Sequence, residues 1–364
     1  MKRDIKNIVS HFNIKGEFLG FEKVVTGHIN DSYLIKTSST DHPGYFLQWI
    51  NNYIFKDVEG LMNNISAVTS HLAVKLAEND NLAFKVLEII PCSDGNKFYF
   101  DSESNYWRLY TYIDKMHVYD VVENTKIAYE GGKAFGIFMS LLADLPANTL
   151  TETIPDFHNM EKRLETFYNS LKINPVDRIK SIEAEIEFIK QRTEQMLTIP
   201  ALIRSGKLPM RITHNDTKFN NILFDNSEHA MCIVDLDTVM PGSILFDFGD
   251  AIRTGANTAV EDEKDLSKVD INLPIYEAYT QGFIKSTRHT LTEVEINNLA
   301  FSARFMTFII GLRFLTDFVD GDPYFRTLYP EHNLDRAKVQ FRLVEQMERN
   351  ADKMHEIVLQ SFEK

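Results

Sequence analysis

The chain has 364 residues, 44% of them hydrophobic and 25% charged, with a formal net charge of −13 and two cysteines. That length supports one large domain or two to three ordinary ones, each with a sizeable core. The acidic balance excludes a general nucleic-acid binder, which needs a basic face, but leaves room for a local basic pocket for phosphates.

Cys92 and Cys232 stand far apart and outside any metal-ligand spacing, so a disulfide-free cytosolic protein is expected. Residues 1–15 scatter charges and lack an apolar leader core. The most apolar run, Phe305–Leu315, is too short to cross a bilayer and contains Arg313, so no membrane association is expected.

In chain order, residues 1–17 read as a short amphipathic helix. Strands are predicted at Phe21–Val25, Ser32–Thr37, Tyr45–Ile50, Val86–Ile90, Phe98–Phe100 and Trp107–Tyr112. One helix interrupts them at Val58–Leu76, where Leu61, Ile65, Val68 and Leu72 recur at helical spacing. After Asp114 the character turns helical: Asn124–Leu145, Met160–Lys172, Val176–Leu197, Glu261–Ser286 with a break near Pro274, Thr292–Phe318 and Leu334–Glu363. Gly131, Gly132 and Gly136 predict close packing of the first of these. The seam falls at Tyr112–Lys115, giving a β-rich domain over 1–112 and a helical one over 113–364, with a ligand cleft between them.

Arg211–Asp250 interrupts the helical part. Two β-rich runs, Ile222–Phe224 and Cys232–Val234, flank the turn Asp225–Glu228 and predict a tight hairpin. His214-x-Asp216-x4-Asn221 precedes it and Asp235 ends it. Phosphoryl transfer requires a carboxylate at the acceptor hydroxyl, and an amide with a second carboxylate on the Mg²⁺ that bridges the phosphates. Asp216, Asn221 and Asp235 have that chemistry and the spacing of a protein-kinase catalytic loop, and Lys218 is placed to reach the γ-phosphate. The plainer reading, that Asp and Asn cap turns and His214 is a packed core histidine, does not account for the whole set.

The runs H-N-D-T-K-F-N-N-I-L and I-V-D-L-D resemble the aminoglycoside phosphotransferase and choline kinase superfamily. Further runs, including T-G-H-I-N-D-S-Y-L, L-T-E-T-I, D-L-D-T-V-M-P-G-S-I-L-F-D-F-G-D and Y-P-E-H-N-L, are similar to its N-acetylhexosamine 1-kinases over nearly the whole chain. The resemblance implies an α+β, protein-kinase-like two-lobe fold, with a small antiparallel N-lobe sheet carrying one main helix and a larger helical C-lobe containing the hairpin. It implies ATP- and Mg²⁺-dependent phosphorylation of the anomeric hydroxyl of N-acetylgalactosamine or N-acetylglucosamine by a cytoplasmic enzyme. Asp216 falls on the family's base, Asn221 and Asp235 on its metal positions, and His28, Arg313 and Tyr324 on positions that contact the sugar.

From the residues alone, Gly27-His28-Ile29-Asn30-Asp31-Ser32 lies where kinases cover the phosphates, though a plain hairpin turn reads the same way. Arg313 interrupts an apolar helix face and needs either a carboxylate, with Asp317 the better reading, or a ligand. Tyr324 follows a Gly-Asp-Pro turn and alone says little. Tyr45–Ile50 offers Gln48 where kinases place a phosphate-gripping lysine, so Glu59 lacks a cationic partner and Lys218 must neutralise more charge. Tyr112-Ile113-Asp114 is the expected adenine-facing segment. Asp247 resembles the buried brace of the catalytic loop, and Arg253 is expected to pair with a nearby carboxylate. Another small-molecule kinase of the superfamily, with an aminoglycoside, choline or homoserine acceptor, and a non-catalytic pseudokinase-like module remain the alternatives. The only partner expected is a small sugar, with no nucleic acid, and the chain is expected to be a monomer.

Overall fold

A computed structural model describes residues 3–24, 30–40, 44–79 and 82–363; His28 lies outside the described residues. The N-terminal lobe runs α1 (Ile5–Val9), β1 (Phe18–Val24), β2 (Asp31–Thr37), β3 (Tyr45–Ile50), α2 (Val58–Ala77), β4 (Tyr99–Phe100) and β5 (Tyr106–Thr111). The strands form one antiparallel sheet in the order β1-β2-β3-β5-β4. Because strand side chains alternate between faces, the sheet sorts its residues into two sets. Tyr33, Ile35, Leu47, Trp107 and Leu109 pack on Ile5, Ile8, Val9 and Phe12 of the N-terminal segment. The opposite face carries Ser32, Gln48 and Arg108, paired directly across β2, β3 and β5. That second face looks toward α2 and the other lobe.

Asp57 caps α2 by accepting from the Gly60 amide at 2.8 Å, and Leu61, Ile65, Val68 and Leu72 are buried as their spacing predicts. Val86–Ile90 is not a strand. The outer edge of β5 is divided: β4 pairs with Tyr106 and Trp107, while the 88–90 segment reaches the far end through Thr111 N–H to the Glu88 carbonyl and Ile90 N–H to the Leu109 carbonyl. Neither neighbour has enough edge for a long ladder.

The C-terminal lobe comprises α3 (Thr125–Leu141), α4 (Met160–Ile173), α5 (Glu183–Met196), α6 (Thr198–Arg204), β6 (Arg211–Thr213), β7 (Ile222–Phe224), β8 (Ala230–Ile233), β9 (Met240–Gly242), α7 (Ile244–Gly255), α8 (Leu273–Thr287), α9 (Glu293–Val319), α10 (His332–Arg349) and α11 (Ala351–Glu363). β7 and β8 form the predicted hairpin, and β6 pairs with β9 beside it. α3 packs against α8 backbone to backbone: a side chain at Gly132 would strike the Tyr279 carbonyl, and one at Gly282 the Tyr129 carbonyl. Gly131 and Gly255 leave room for the Phe219 ring, which anchors the segment leading to Asn221.

Several helices differ from the pattern-based expectation, and the helix read over residues 1–17 is confined to Ile5–Val9. The α5 helix starts only at Glu183, because Asn174 and Asp177 adopt φ of 44° and 55° and turn the chain. Residues 261–272 hold only a single 3-10 turn at Leu266–Lys268, and Pro274 stands in the first turn of α8, where a missing N–H is harmless, with Asn272 as the cap. The last predicted helix divides at Asn350. α7, which was read only as a motif, is a helix capped by Ser243. α9 is long and apolar enough to cross a membrane, but 72% of its apolar window is buried inside the lobe, which makes it a core helix.

Candidate active site

Asp216 lies between β6 and β7, and the loop that carries it is held from below. Asp247, fully buried near the start of α7, accepts the backbone N–H of His214 and of Asn215, both at 2.7 Å. Asp250, one turn later, accepts from Thr217 N–H at 3.2 Å and is paired with the buried Arg253, whose Nε lies 2.9 Å away. The expected carboxylate partner of Arg253 is therefore Asp250. Burial pushes the Asp247 carboxyl up to about 6, although His214 and the two backbone amides favour its ionised form.

His214 is a core histidine, but one with a defined duty. A carbonyl can only accept, so Nε2 carries the proton donated to Val234 O at 2.9 Å. Nδ1 is then free to accept the Asp216 amide at 3.3 Å. The ring lies edge-on to Phe135 and Phe138. His214 thus links the hairpin to the loop, and Asn215 takes φ 64°, a conformation asparagine tolerates, to turn the next side chain outward.

The Asp216 carboxylate stands 2.9 Å from the Lys218 ammonium and 3.2 Å from the Asn221 amide nitrogen, which also donates to the Asp216 carbonyl at 2.8 Å. Enclosure works to raise the Asp216 carboxyl. Lys218, with His214 and Arg253 behind it, outweighs that and holds it below the usual range. Lys218 is raised in turn, chiefly by Asp216. The pair is ready to act as carboxylate and ammonium at neutral pH.

Asn221 spends its amide nitrogen on Asp216, which leaves Oδ1 without a hydrogen-bond donor among the described residues. Val234 N–H donates to the Asn221 carbonyl at 2.9 Å, so the hairpin brings Asn221 beside the start of the next turn. Asp235 sits there at φ 59°, exposed on the floor of the cleft. The protein around it, with Asp237 and Asp216 nearby, raises its carboxyl above the ordinary range, which a bound cation would reverse. One amide oxygen and one crowded carboxylate fit Mg²⁺, a hard cation that takes few protein ligands and completes its shell with waters and phosphate oxygens.

Opposite the loop, the N-lobe residues expected to meet nucleotide divide by face. Gln48 accepts two N–H groups from Arg108, at 3.0 and 2.8 Å, and donates to Ser32 at 3.1 Å, all toward the cleft. Asn30 donates to Asp237 at 2.6 Å. The Asp31 carboxylate turns the other way, to Arg3 at 2.5 Å and Lys23 at 3.0 Å, because the residue before Ser32 must face the opposite side of the strand. Its placement therefore corrects the grouping of Asp31 with the phosphate contacts. Backbone groups of Ile113 and Asp114 make no hydrogen bond among the described residues, leaving this seam segment open to an adenine edge, whereas Tyr112 N–H is taken by Gly44. Glu59 is exposed and makes no ion pair among the described residues.

Arg313 does not pair with Asp317. That carboxylate is occupied by the amides of Tyr324 and Phe325, at 2.8 and 2.9 Å, and by Asn333 at 2.9 Å, so it closes the 317–325 loop on itself. Arg313 has no acceptor or carboxylate partner among the described residues. Its guanidinium lies over Phe157 at 4.9 Å, with Phe325 at 5.5 Å and the exposed Tyr324 at 5.9 Å. Burial and the neighbouring Arg163 lower it to about 10. Arg313 and Tyr324 are thus brought together as read from the sequence, on a cationic and aromatic surface. Arg108, Asp237, Asp250 and Arg163 were not foreseen. Only Arg108 left a trace, a charge within the apolar strand Tyr106–Thr111.

This fold and loop define a two-lobed kinase. The sequence profile of the phosphotransferase enzyme family matches residues 23–270, more than half of the chain. The chain belongs to that family. It is similar in structure to choline kinase from Cryptosporidium parvum Iowa II (14% identity, 99% of each chain covered, TM-score 0.57). A microcompartment-associated aminopropanol kinase aligns with TM-score 0.57 at 11% identity over 96% of this chain and 97% of that one. A spectinomycin phosphotransferase in complex with ADP and spectinomycin aligns with TM-score 0.55 at 14% identity over 98% and 97%. At such identities the likenesses establish the fold, that of the aminoglycoside phosphotransferase and choline kinase superfamily.

Proposed function

We propose that the chain is a kinase that transfers the γ-phosphoryl of ATP to the anomeric C1 hydroxyl of an N-acetylhexosamine. The observation that carries this is the pairing of an ionised Asp216, 2.9 Å from Lys218, with a separate surface where Arg313 stands without a carboxylate. The first supplies transfer chemistry; the second suits a neutral, hydroxyl-rich acceptor. A cationic acceptor would be drawn to carboxylates or a bare aromatic box. Here Arg313 already occupies the aromatic surface, with Arg163 donating to the Phe157 carbonyl close by; together they repel an amine, while Arg313 offers N–H donors to hydroxyl and acetamido oxygens.

Asp216 orients the C1 hydroxyl and accepts its proton as the oxygen attacks phosphorus. An anomeric hydroxyl is more acidic than an ordinary alcohol, so a carboxylate of low pKa suffices. Lys218 neutralises charge on the transferring phosphoryl group. Asn221 and Asp235 would hold Mg²⁺, which would supply positive charge to offset that of the phosphates. Asp247 and Asp250 keep the loop from shifting, since such transfer depends on placing the base within a fraction of an ångström. Adenine would lie at Ile113–Asp114, with Asn30 toward the phosphates.

The test is a kinase assay with N-acetylgalactosamine, N-acetylglucosamine, galactose, choline and kanamycin as acceptors. Turnover confined to the two N-acetylhexosamines is expected; turnover of choline or kanamycin with no sugar activity would replace this reading by that of an amino-alcohol or aminoglycoside kinase.

A further inference from the structure

The N-lobe has no lysine on β3, yet its cleft-facing surface is not uncharged. Arg108, directly across from Gln48 on β5, is 1% exposed. Its guanidinium donates through Nε and Nη2 to Gln48 Oε1 and through Nη1 to Asp237, a carboxylate of the other lobe that is 3% exposed. Asn30, from the segment entering β2, holds the second oxygen of Asp237, and its side-chain Oδ1 accepts the Asn51 backbone N–H at 3.0 Å. Asp237 lies two residues beyond Asp235, in the turn that carries it.

A buried ion pair is weak evidence for stability in itself, because desolvating both charges costs about as much as their attraction returns. This one also spans two lobes, and every polar atom of the pair is used. Kinases of this shape need a fixed positive charge on the N-lobe sheet, paired with a carboxylate, so that the phosphates and the metal-binding aspartate are held in one register. We infer that the Arg108–Asp237 pair performs that task here: the cation has moved one strand over, from β3 to β5, and its carboxylate partner from helix α2 to the turn after Asp235. Arg108 is thereby a positioning residue for the nucleotide triphosphate. Gln48 is its bracket, and not a weakened substitute for lysine. The exposed Glu59, which makes no ion pair among the described residues, is then explained, since the role its kinase counterpart plays has passed to Asp237.

This inference rests on the phosphotransferase reading of Asp235 and not on the identity of the acceptor, so its test omits the acceptor. Binding of a non-hydrolysable ATP analogue with Mg²⁺ is measured by calorimetry, alongside melting temperature, for Arg108→Met, Arg108→Lys and the double variant Arg108→Met/Asp237→Leu. Arg108→Met strands a buried carboxylate and is expected to lower both melting temperature and analogue affinity, the latter at least about tenfold, through loss of the fixed charge and of its hold on the turn after Asp235. Arg108→Lys, which keeps the charge, should retain part of that affinity. The double variant removes both charges and should recover melting temperature without recovering nucleotide affinity. Recovery of both, or wild-type analogue affinity in any folded variant lacking the Arg108 charge, would reduce the pair to a structural contact and overturn the inference. A protein that binds the analogue as expected but phosphorylates no N-acetylhexosamine would instead leave this inference standing and remove the acceptor assignment.

Discussion

Asp216 and Lys218, two residues apart on one loop, form an ion pair at 2.9 Å with Lys218 41% exposed and Asp216 27% exposed. Each is therefore reachable by substrate while fixing the charge of the other. Asp216→Asn keeps the shape and removes the base, so kcat should fall at least ~10²-fold with melting temperature little changed. Steady-state kinetics at saturating ATP and acceptor check this; wild-type turnover would rule out Asp216 as the base.

Among the described residues no side chain or amide holds the Asp235 carboxylate, so Asp235→Ala should fold normally and lose Mg²⁺-dependent ATP use altogether. The measurement is ATP consumption titrated with Mg²⁺. Activity that persists at wild-type level, or that never depended on Mg²⁺, would remove Asp235 and Asn221 from the metal role.

Arg313 is a desolvated charge with no carboxylate partner among the described residues, so replacing it relieves a cost. Arg313→Met should hold or raise the melting temperature while the acceptor KM rises about tenfold or more, the loss of one or two charge-assisted hydrogen bonds. The KM for ATP should stay put. A change in ATP KM with none in acceptor KM would place Arg313 on the wrong substrate.

His158 is buried against the loop and donates through Nε2 to the Asn215 carbonyl at 3.1 Å, while its Nδ1 has no partner. Burial lowers it to about 4, with Asp250 opposing and Arg313 assisting. The unfolded chain binds a proton at this ring near ~6.5 and the folded one only near 4. The folded state thus has its full His158 contribution above pH 6.5 and loses it as pH falls toward 4. His158→Gln keeps the donor and removes the titration, so its melting temperature should drop by several degrees less than the wild type's between pH 7 and pH 5. Parallel pH profiles for the two proteins would contradict this.

How much of this the sequence revealed depended on whether a residue's partner was near it in the chain. The hairpin, and the closeness of Asp216 to Asn221, were legible because local spacing sets their geometry; the Asp247 hydrogen bonds to the loop span more than thirty positions and were suggested only by the resemblance. Helix α2 was legible because Leu61, Ile65, Val68 and Leu72 repeat at its period. The Arg108–Asp237 pair joins residues 129 positions apart, and no pattern along either strand encodes it. The same holds for Arg313: sequence neighbourhood favoured Asp317, but the 317–325 loop had a stronger claim on that carboxylate. The inverted placement of Asp31 is a strand-alternation effect that became visible only once the register against Gln48 was known.

The central claim is the chemical position of transfer. Phosphorus NMR of the product made from N-acetylgalactosamine and from N-acetylglucosamine tests it directly. The phosphorus signal should be coupled to the anomeric proton, with the reducing end of the sugar blocked. A phosphate coupled to the C6 methylene protons, or no phosphorylated sugar at all beside active turnover of an amino-alcohol acceptor, would contradict it.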